Sequence, residues 1–421
     1  MAELIEVTLE EAIQSIHTLL AQGNLPRAEK LARNLIKARP FAPGARNILA
    51  LVLQRDFRPR EAFECSMIAI LLAPSEETLL VNGGNQAMYL GDMKRAIYFY
   101  ERALFVSGRS ARRFSLSIAV LLSGDYRRGF EAYENRLHPQ ELAGLKEVVG
   151  GRWWGGRPLF NRKIVLMTEQ GVGDIIQFSR FAQTLSDNGA EVIVSCRPEL
   201  ARLVECVDGV SGTHLPAKLV PDDVDYIDLL VSIPCRLGLG LEDIGGIGRY
   251  ITLPETGSET TTELKSSPRL RVGLCWAGSK EHIRDHWRSF PRGCFDVLEG
   301  IERVEFFNLQ FGSPSEPEAG EAKLHLRDIL PTGGDFLDTA YAIDRLDLVI
   351  TTDTSIAHIA GALGKPVWVL LSYQPDWRWM LDGSTSPWYP SARLYRQHVP
   401  GDWHGLMRIV KQDLEKLAGE T

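Results

Sequence analysis

Residues 348–371 read LVITTDTSIAHIAGALGKPVWVLL. Leu348, Val349 and Ile350 form a short apolar run that ends in the polar cluster Thr351 to Ser355. From Ile356 the apolar residues fall at Ile356, Ile359, Ala360 and Leu363, the spacing of one helix face. Gly364 ends that helix, and Lys365-Pro366 turns the chain into a second apolar strand, Val367 to Leu371. The pattern is strand–loop–helix–strand, a unit of a parallel sheet. Its polar cluster lies beyond the carboxyl end of the first strand, where open α/β sheets bind ligands. Asp353, Thr354, Ser355 and His358 are therefore gathered at a helix N-terminus, whose free N–H groups and dipole suit a phosphate. The same residues describe an ordinary helix cap with a structural histidine equally well, and the stretch alone does not separate the two.

Working outward, the strand Arg271 to Trp276 and the loop Ala277-Gly278-Ser279 open the same α/β region. Arg288 ends the charged segment that follows, and a guanidinium there can hold phosphate oxygens in pairs or simply stay solvated. Strands at Val304 to Gln310 and Leu324 to Leu326 and a helix from Asp335 to Asp344 lead back to the opening stretch. Beyond it, Pro375 to Trp379 and Ser386 to Pro390 form an aromatic-rich loop, which suits stacking on a ligand or packing on its own domain. A strand at Arg393 to Gln397 and a final helix, Trp403 to Leu417, follow; the helix is expected to pack back across the cleft. Pro254 to Pro268 is polar and almost without apolar residues, and marks the clearest domain boundary.

Upstream of that linker lies another β-α-β-α pattern: strand Lys163 to Thr168, a loop and helix, then strand Glu191 to Ser195. Its loop, Glu169-Gln170-Gly171-Val172-Gly173-Asp174, lacks the third glycine of a dinucleotide fingerprint, so nicotinamide binding is discounted. Gly171 and Gly173 place Asp174 at a helix start, where it caps the helix or serves as a general base facing a cleft. Asp222-Asp223-Val224-Asp225 reads as solvated charge before a strand, and His282 with His286 has nothing nearby to complete a metal site.

The first third repeats. Ala28, Ala62, Ala96 and Gly129 are spaced 34, 34 and 33 residues apart, with the turn pairs Gly23-Asn24, Gly91-Asp92 and Gly124-Asp125 ahead of three of them. A 34-residue period with a small residue where two helices cross is the signature of tetratricopeptide repeats. Stacked helix pairs of this kind present a curved surface for a peptide or protein partner, or for self-association into a homo-oligomer. Composition sets the outer bounds. The 421 residues suffice for two or three domains, and a net charge of −7 argues against nucleic acid as the main partner. The six cysteines are scattered, no apolar run is long enough to span a membrane, and the acidic N-terminus lacks a signal core; a cytoplasmic protein is expected.

At this point the chain resembles a known group. From about Lys163 onward it is similar to GT-B glycosyltransferases related to the bacterial heptosyltransferases, and with its repeats it resembles bacterial tetratricopeptide-containing glycosyltransferases. The residues that carry the likeness are Glu169 to Asp174, Trp276-Ala277-Gly278 with Arg288-Ser289, Asp353 to His358 with Gly361 to Pro366, and Pro375 to Trp379 with Ser386 to Tyr389. The resemblance implies an α plus α/β chain: a tetratricopeptide domain over 1–140, then two Rossmann-like domains of a GT-B fold over 160–255 and 268–421. It implies metal-independent, inverting transfer from a nucleotide sugar, the donor substrate, with no further cofactor. Asp174 inherits the role of base, while Asp353, Thr354, Ser355, His358 and Arg288 inherit the donor diphosphate; Gly171, Gly173, Gly278 and Ser279 are the cleft loops. Ser355 stands where glycine is usual and Arg288 where lysine is, which leaves the donor sugar open. The acceptor is expected to be Ser or Thr of a protein brought by the repeats. A lipid-linked or polysaccharide acceptor, and a scaffold with a non-catalytic GT-B domain, are the alternatives.

Overall fold

Asn24, Asp92 and Asp125 each accept a hydrogen bond from the backbone N–H three residues on, and each thereby starts the second helix of a pair. The computed structural model describes residues 8–108, 112–216, 221–255, 268–282, 284–310 and 322–420. It divides into two units, between Leu142 and Ala143. The first unit is the helical repeat: α1 (Leu9–Ala21) with α2 (Leu25–Ala38), α3 (Pro43–Arg55) with α4 (Pro59–Leu72), α5 (Glu77–Tyr89) with α6 (Met93–Ser107), and α7 (Arg112–Leu122) with α8 (Tyr126–Tyr133). Ala28, Ala62 and Ala96 are wholly buried. At the fourth position of the series a Cβ on Gly129 would lie 2.6 Å from Leu121 Cδ2, so α8 crosses α7 too closely for alanine. Three turns use glycine at positive φ, Gly23 (+71°), Gly91 (+77°) and Gly124 (+89°). The second pair departs from this: Phe57 takes φ 56°, and the following Arg58 supplies no side-chain cap. Arg58 instead pairs with Glu29 at 2.9 Å and Glu61 at 2.7 Å.

The second unit holds two parallel sheets. The first has β1 (Arg162–Met167), β2 (Ala190–Ser195), β3 (Val210–His214) and β4 (Tyr226–Leu229), in the order β3-β2-β1-β4. The second has β5 (Leu270–Cys275), β6 (Val304–Asn308), β7 (Arg327–Asp328), β8 (Leu348–Thr352), β9 (Val367–Leu371) and β10 (Ala392–Arg396), in the order β10-β9-β8-β5-β6-β7. Counted from its own first strand the second order is 3-2-1-4-5-6, the doubly wound arrangement, and the first sheet follows its first four members. Every residue of β8 and β9 is buried, as expected for central strands covered on both faces. In each sheet the order reverses beside its first strand, so the loops after β1, β5 and β8 leave at the edge where ligands bind.

Several sequence expectations change. Strand β3 was not anticipated. The strand expected at Leu324 to Leu326 is instead the two-residue β7, while Leu324 and Leu326 are buried in the core of the second sheet. The final helix runs Trp403–Glu420 and does not cross the cleft. Its stripe Trp403, Leu406, Met407, Val410 and Leu414 packs into the second sheet's own core with Val272, Phe290 and Phe295. Residues 256–267 of the polar linker, and the first seven residues, lie outside the described residues. Among the described residues no helix is long and apolar enough to cross a membrane.

The two sheets are joined through buried contacts. Helix Val172–Ser179 of the first packs on helix Ser355–Ala362 of the second. Tyr250 and Ile251 both donate their N–H to Ala362 O, at 2.9 and 3.2 Å. The aromatic loop lies in this seam. Trp377, Trp379, Trp388 and Tyr389 are nearly inaccessible, and Trp388 meets Phe178 and Phe181 with ring centroids 5.8 and 6.5 Å apart. The loop thus packs against the opposite half as well as its own.

Candidate functional site

A cavity of about 530 Å³ lies where the loops after β1, β5 and β8 converge. Gly171, Gly173 and Asp174 reach it from the first sheet; Gly278, Ser279, Arg288, Asp353, Thr354, Ser355 and His358 reach it from the second. All ten residues singled out in the sequence therefore line one space. Its ionisable lining is mixed, with Arg197, Arg284, Arg288 and Arg378 against Asp174, Glu281, Asp353 and Asp376.

Asp174 is the third residue of helix Val172–Ser179, and its Oδ2 accepts the Gly171 N–H at 3.0 Å, which closes the loop onto the helix. Its Oδ1 is ion-paired with Arg378 of the aromatic loop. Both carboxylate oxygens are thus engaged, one by a backbone amide and one by a guanidinium. Each oxygen has two acceptor directions, so a ligand hydroxyl still finds a lone pair. Arg378 is 7% exposed; it also holds Asp376 at 2.7 Å, donates Nε to Gln177 Oε1 at 2.7 Å, and lies 4.3 Å over the Trp377 ring. Neither Arg378 nor Asp376 was given a role from sequence. The available signal was an arginine set between two tryptophans beside an aspartate.

Across the cavity, Thr354 is the N-cap of helix Ser355–Ala362 but makes no side-chain cap bond. Its hydroxyl turns inward, 3.1 Å from Thr351 Oγ1 and 3.8 Å from Cys275 Sγ. The first-turn amides therefore lack a side-chain cap, while Thr8, Asp92 and Asp335 cap their own helices. An anion fits that position. His358 is buried, with Nδ1 2.9 Å from the Tyr389 hydroxyl and its ring stacked on Trp379 at 5.6 Å. Burial, with Arg378 nearby, pushes its imidazole down to about 3. The ring is neutral at ordinary pH and offers a ligand one N–H rather than a charge. A Cβ on Gly173 would lie 2.7 Å from His358 Cδ2, so the glycine loop and the histidine ring need each other's shape.

Asp353 lies at the end of β8. Burial, reinforced by the neighbouring Asp376, pushes its carboxyl up to about 6. Arg288 donates Nη1 to the Asp353 carbonyl at 3.0 Å, and its guanidinium lies against Gly278, where a Cβ would be 2.7 Å from Cζ. Ser289 fixes the loop after β5 by accepting the Gly278 N–H at 3.0 Å and donating to Asp285 Oδ1 at 2.6 Å. Gln310 does likewise, with Oε1 accepting from Trp276 N and Ala277 N at 3.2 and 3.0 Å. Ser279 is exposed at the rim, and its Oγ accepts the Glu281 N–H at 3.3 Å. Away from the cavity, Asp223 pairs with Lys163 at 2.6 Å and Asp225 with Arg162 at 2.7 Å. Among the described residues no three His, Cys, Asp or Glu side chains are grouped to hold a metal ion.

No protein-family model matches the chain. It is 23% identical over 387 residues to protein FlbA of Caulobacter vibrioides; the match covers 83% of this chain and 63% of that protein. The chain thus spans less than two thirds of that relative's length. Solved structures similar to it include MamA, at 17% identity and a TM-score of 0.30, over 32% of this chain and 80% of MamA. They also include the tetratricopeptide protein TTC0263 of Thermus thermophilus, at 18% identity and a TM-score of 0.29, over 33% of this chain and 79% of that one. The repeat itself is visible in the four helix pairs of the first unit.

Proposed function

We propose that the second unit is a glycosyltransferase of the GT-B type, which moves a sugar from a nucleotide-sugar donor to an acceptor hydroxyl with inversion and without a metal. One observation carries the reading. Asp174 on the first sheet and the uncapped helix start at Thr354 and Ser355, with His358 and Arg288, on the second face one cavity at the ligand-binding edges of both sheets. Inverting transfer needs a base on one side of the reacting carbon and help for a departing diphosphate on the other. Asp174 takes the acceptor proton in this scheme, while the helix amides, the His358 N–H and Arg288 receive the charge that develops on the leaving phosphate. The helical repeat brings the acceptor, a Ser or Thr of a protein partner. A second reading, a nucleotide-binding scaffold without turnover, draws on the engagement of both Asp174 oxygens. The test is a panel of nucleotide sugars scored by thermal shift and then by release of free nucleotide, with Asp174→Asn alongside. Stabilisation plus release that Asp174→Asn abolishes supports transfer. Stabilisation without release supports the scaffold, and no stabilisation by any donor sinks both.

A further inference from the structure

Arg180 is 1% exposed and has no carboxylate partner among the described residues. It directly follows the helix Val172–Ser179 that presents Asp174. Its Nη2 donates to Ile247 O at 3.0 Å and to Trp388 O at 2.7 Å, which uses both hydrogens of that nitrogen. Nε and Nη1 meet no acceptor. The guanidinium lies instead over three rings, 4.9 Å from Tyr250, 5.1 Å from Tyr389 and 5.4 Å from Trp388. Ring faces return part of the hydration that a guanidinium loses on burial, but a methionine or leucine would fill the same space at no such cost. A buried guanidinium with two of its nitrogens unbonded and, among the described residues, no carboxylate beside it needs a reason.

The cavity supplies one. Tyr389, under the guanidinium, is bonded to His358 Nδ1 at 2.9 Å, and His358 lines the cavity. Tyr389 and Trp379 are 0% exposed, so the path from Arg180 to the cavity wall is packed protein with little water to screen a charge. The same charge bears on His358, where burial dominates, Arg378, Arg180 and Arg288 act to keep the ring neutral, and Asp376 opposes them. We propose that Arg180 is a buried part of the anion site. It strengthens diphosphate binding in the cavity through space, without touching the ligand, and favours anionic ligands there over uncharged ones. This rests on the reading of the cavity as a donor-diphosphate site. A unit charge about 10 Å away, at an effective dielectric constant of about 20, alters affinity roughly tenfold per ligand charge.

The probe is inorganic pyrophosphate, titrated calorimetrically into the full chain at low ionic strength. Arg180→Met keeps the bulk and removes the charge; its affinity should drop by at least about tenfold, because the Coulomb estimate is roughly tenfold for each of the several charges that pyrophosphate carries. Arg180→Lys keeps the charge and should stay within about threefold of the native chain. Equal affinity in Arg180→Met and the native chain overturns the proposal. So does an equal loss in both variants, which would mean packing alone, or an absence of pyrophosphate binding by the native chain. Should Arg180→Met not fold, the nitrogen resonance of the Arg180 Nε–H group decides: it must shift when pyrophosphate is added, and a stationary signal overturns the idea. The donor reading fails separately. A chain that binds pyrophosphate with this dependence on Arg180 but binds no nucleotide sugar keeps the anion site and loses the transferase.

Discussion

Asp353 and Asp376 share one corner of the cavity, and only Asp376 has a guanidinium bonded to it. Burial works against the Asp376 carboxylate, yet Arg378 holds it below the usual range, and that standing charge helps push Asp353 up to about 6. If the cavity holds a diphosphate as proposed, a protonated Asp353 would donate a hydrogen bond to a phosphate oxygen below that pH, and an ionised one would repel the phosphate above it. Nucleotide-sugar affinity is therefore expected to weaken as pH rises through about 6. A nucleotide sugar is the right titrant because a free terminal phosphate would itself titrate at about pH 6. Calorimetry from pH 5 to 8 checks this, and a flat profile in the native chain, or an unchanged slope in Asp353→Asn, removes Asp353 from the explanation. The sign for stability runs the same way, since a carboxyl raised above its unfolded value binds more protons when folded. Its contribution is fully present below the unfolded value and is lost as pH rises through about 6. Gly173 shows how much of the site was legible at this scale. The glycine loop and Asp174 stood out as a motif, but the ring that packs on Gly173 belongs to His358 on the other sheet, and no local pattern reports such a contact. Gly173→Ala is expected to displace that ring and break its 2.9 Å bond to Tyr389. Nucleotide-sugar affinity should then fall by about fivefold or more, on the order of one hydrogen bond, with helix content unchanged by circular dichroism; undiminished affinity would contradict the account. Arg378 was illegible for the same reason, because its partners Asp174 and Gln177 come from a distant helix.

The turn between α3 and α4 is the repeat's irregular member. Gly23, Gly91 and Gly124 occupy the left-handed region at no steric cost, whereas Phe57 takes φ 56° in the corresponding turn. A bulky residue there costs about 1–2 kcal/mol, and glycine returns about 0.5–1 kcal/mol of that in chain entropy. Phe57 is 44% exposed, so little burial is lost on replacing it. Phe57→Gly is therefore expected to stabilise the helical unit by about 0.5–1 kcal/mol net. Hydrogen exchange of the α3 and α4 amides would read this as slower opening, and faster exchange would mean that the phenyl packing outweighs the backbone strain. The helix pairs were legible because their small residues and turns recur every 33 or 34 positions. Strands β8 and β9 were legible as short apolar runs, being buried along their whole length. Strand β3 was not: Val-Ser-Gly-Thr-His has one apolar residue and lies half-buried at a sheet edge, where hydrogen bonding to β2 rather than side-chain burial makes the strand. The two-residue β7 sits at the equivalent edge of the second sheet and eluded pattern reading likewise.

Across the whole α/β unit, motif order indicates two sheets flanking a cleft, and a cleft of this kind can close by moving one sheet against the other. The structure places buried contacts in the seam that such a movement would have to break. Arg180 leaves the first half to bond Trp388 O, Arg378 leaves the second to reach Asp174 and Gln177, and Tyr250 joins Ile176 O on one side and Tyr389 on the other. Opening the seam would expose Trp377, Trp379, Trp388 and Tyr389, together with Phe178 and Phe181. Burial of one large apolar side chain stabilises by about 1.5–3 kcal/mol, so a seam of six exceeds the few kcal/mol available to an ordinary domain motion. The sheets should therefore unfold as one cooperative body rather than in turn. The chain carries its own reporters: Cys196 at the end of β2 and Cys275 in β5 are both buried, and burial pushes the Cys196 thiol up to about 12 and raises that of Cys275. Neither is reactive while its sheet is folded, because only the exposed thiolate attacks a labelling reagent. Pulsed thiol labelling across a urea series is expected to give the two cysteines one midpoint, shifted to lower urea for both by Arg378→Met. Two separate midpoints, or a shift confined to Cys275, would mean that the sheets are independent and that the cavity between them opens freely.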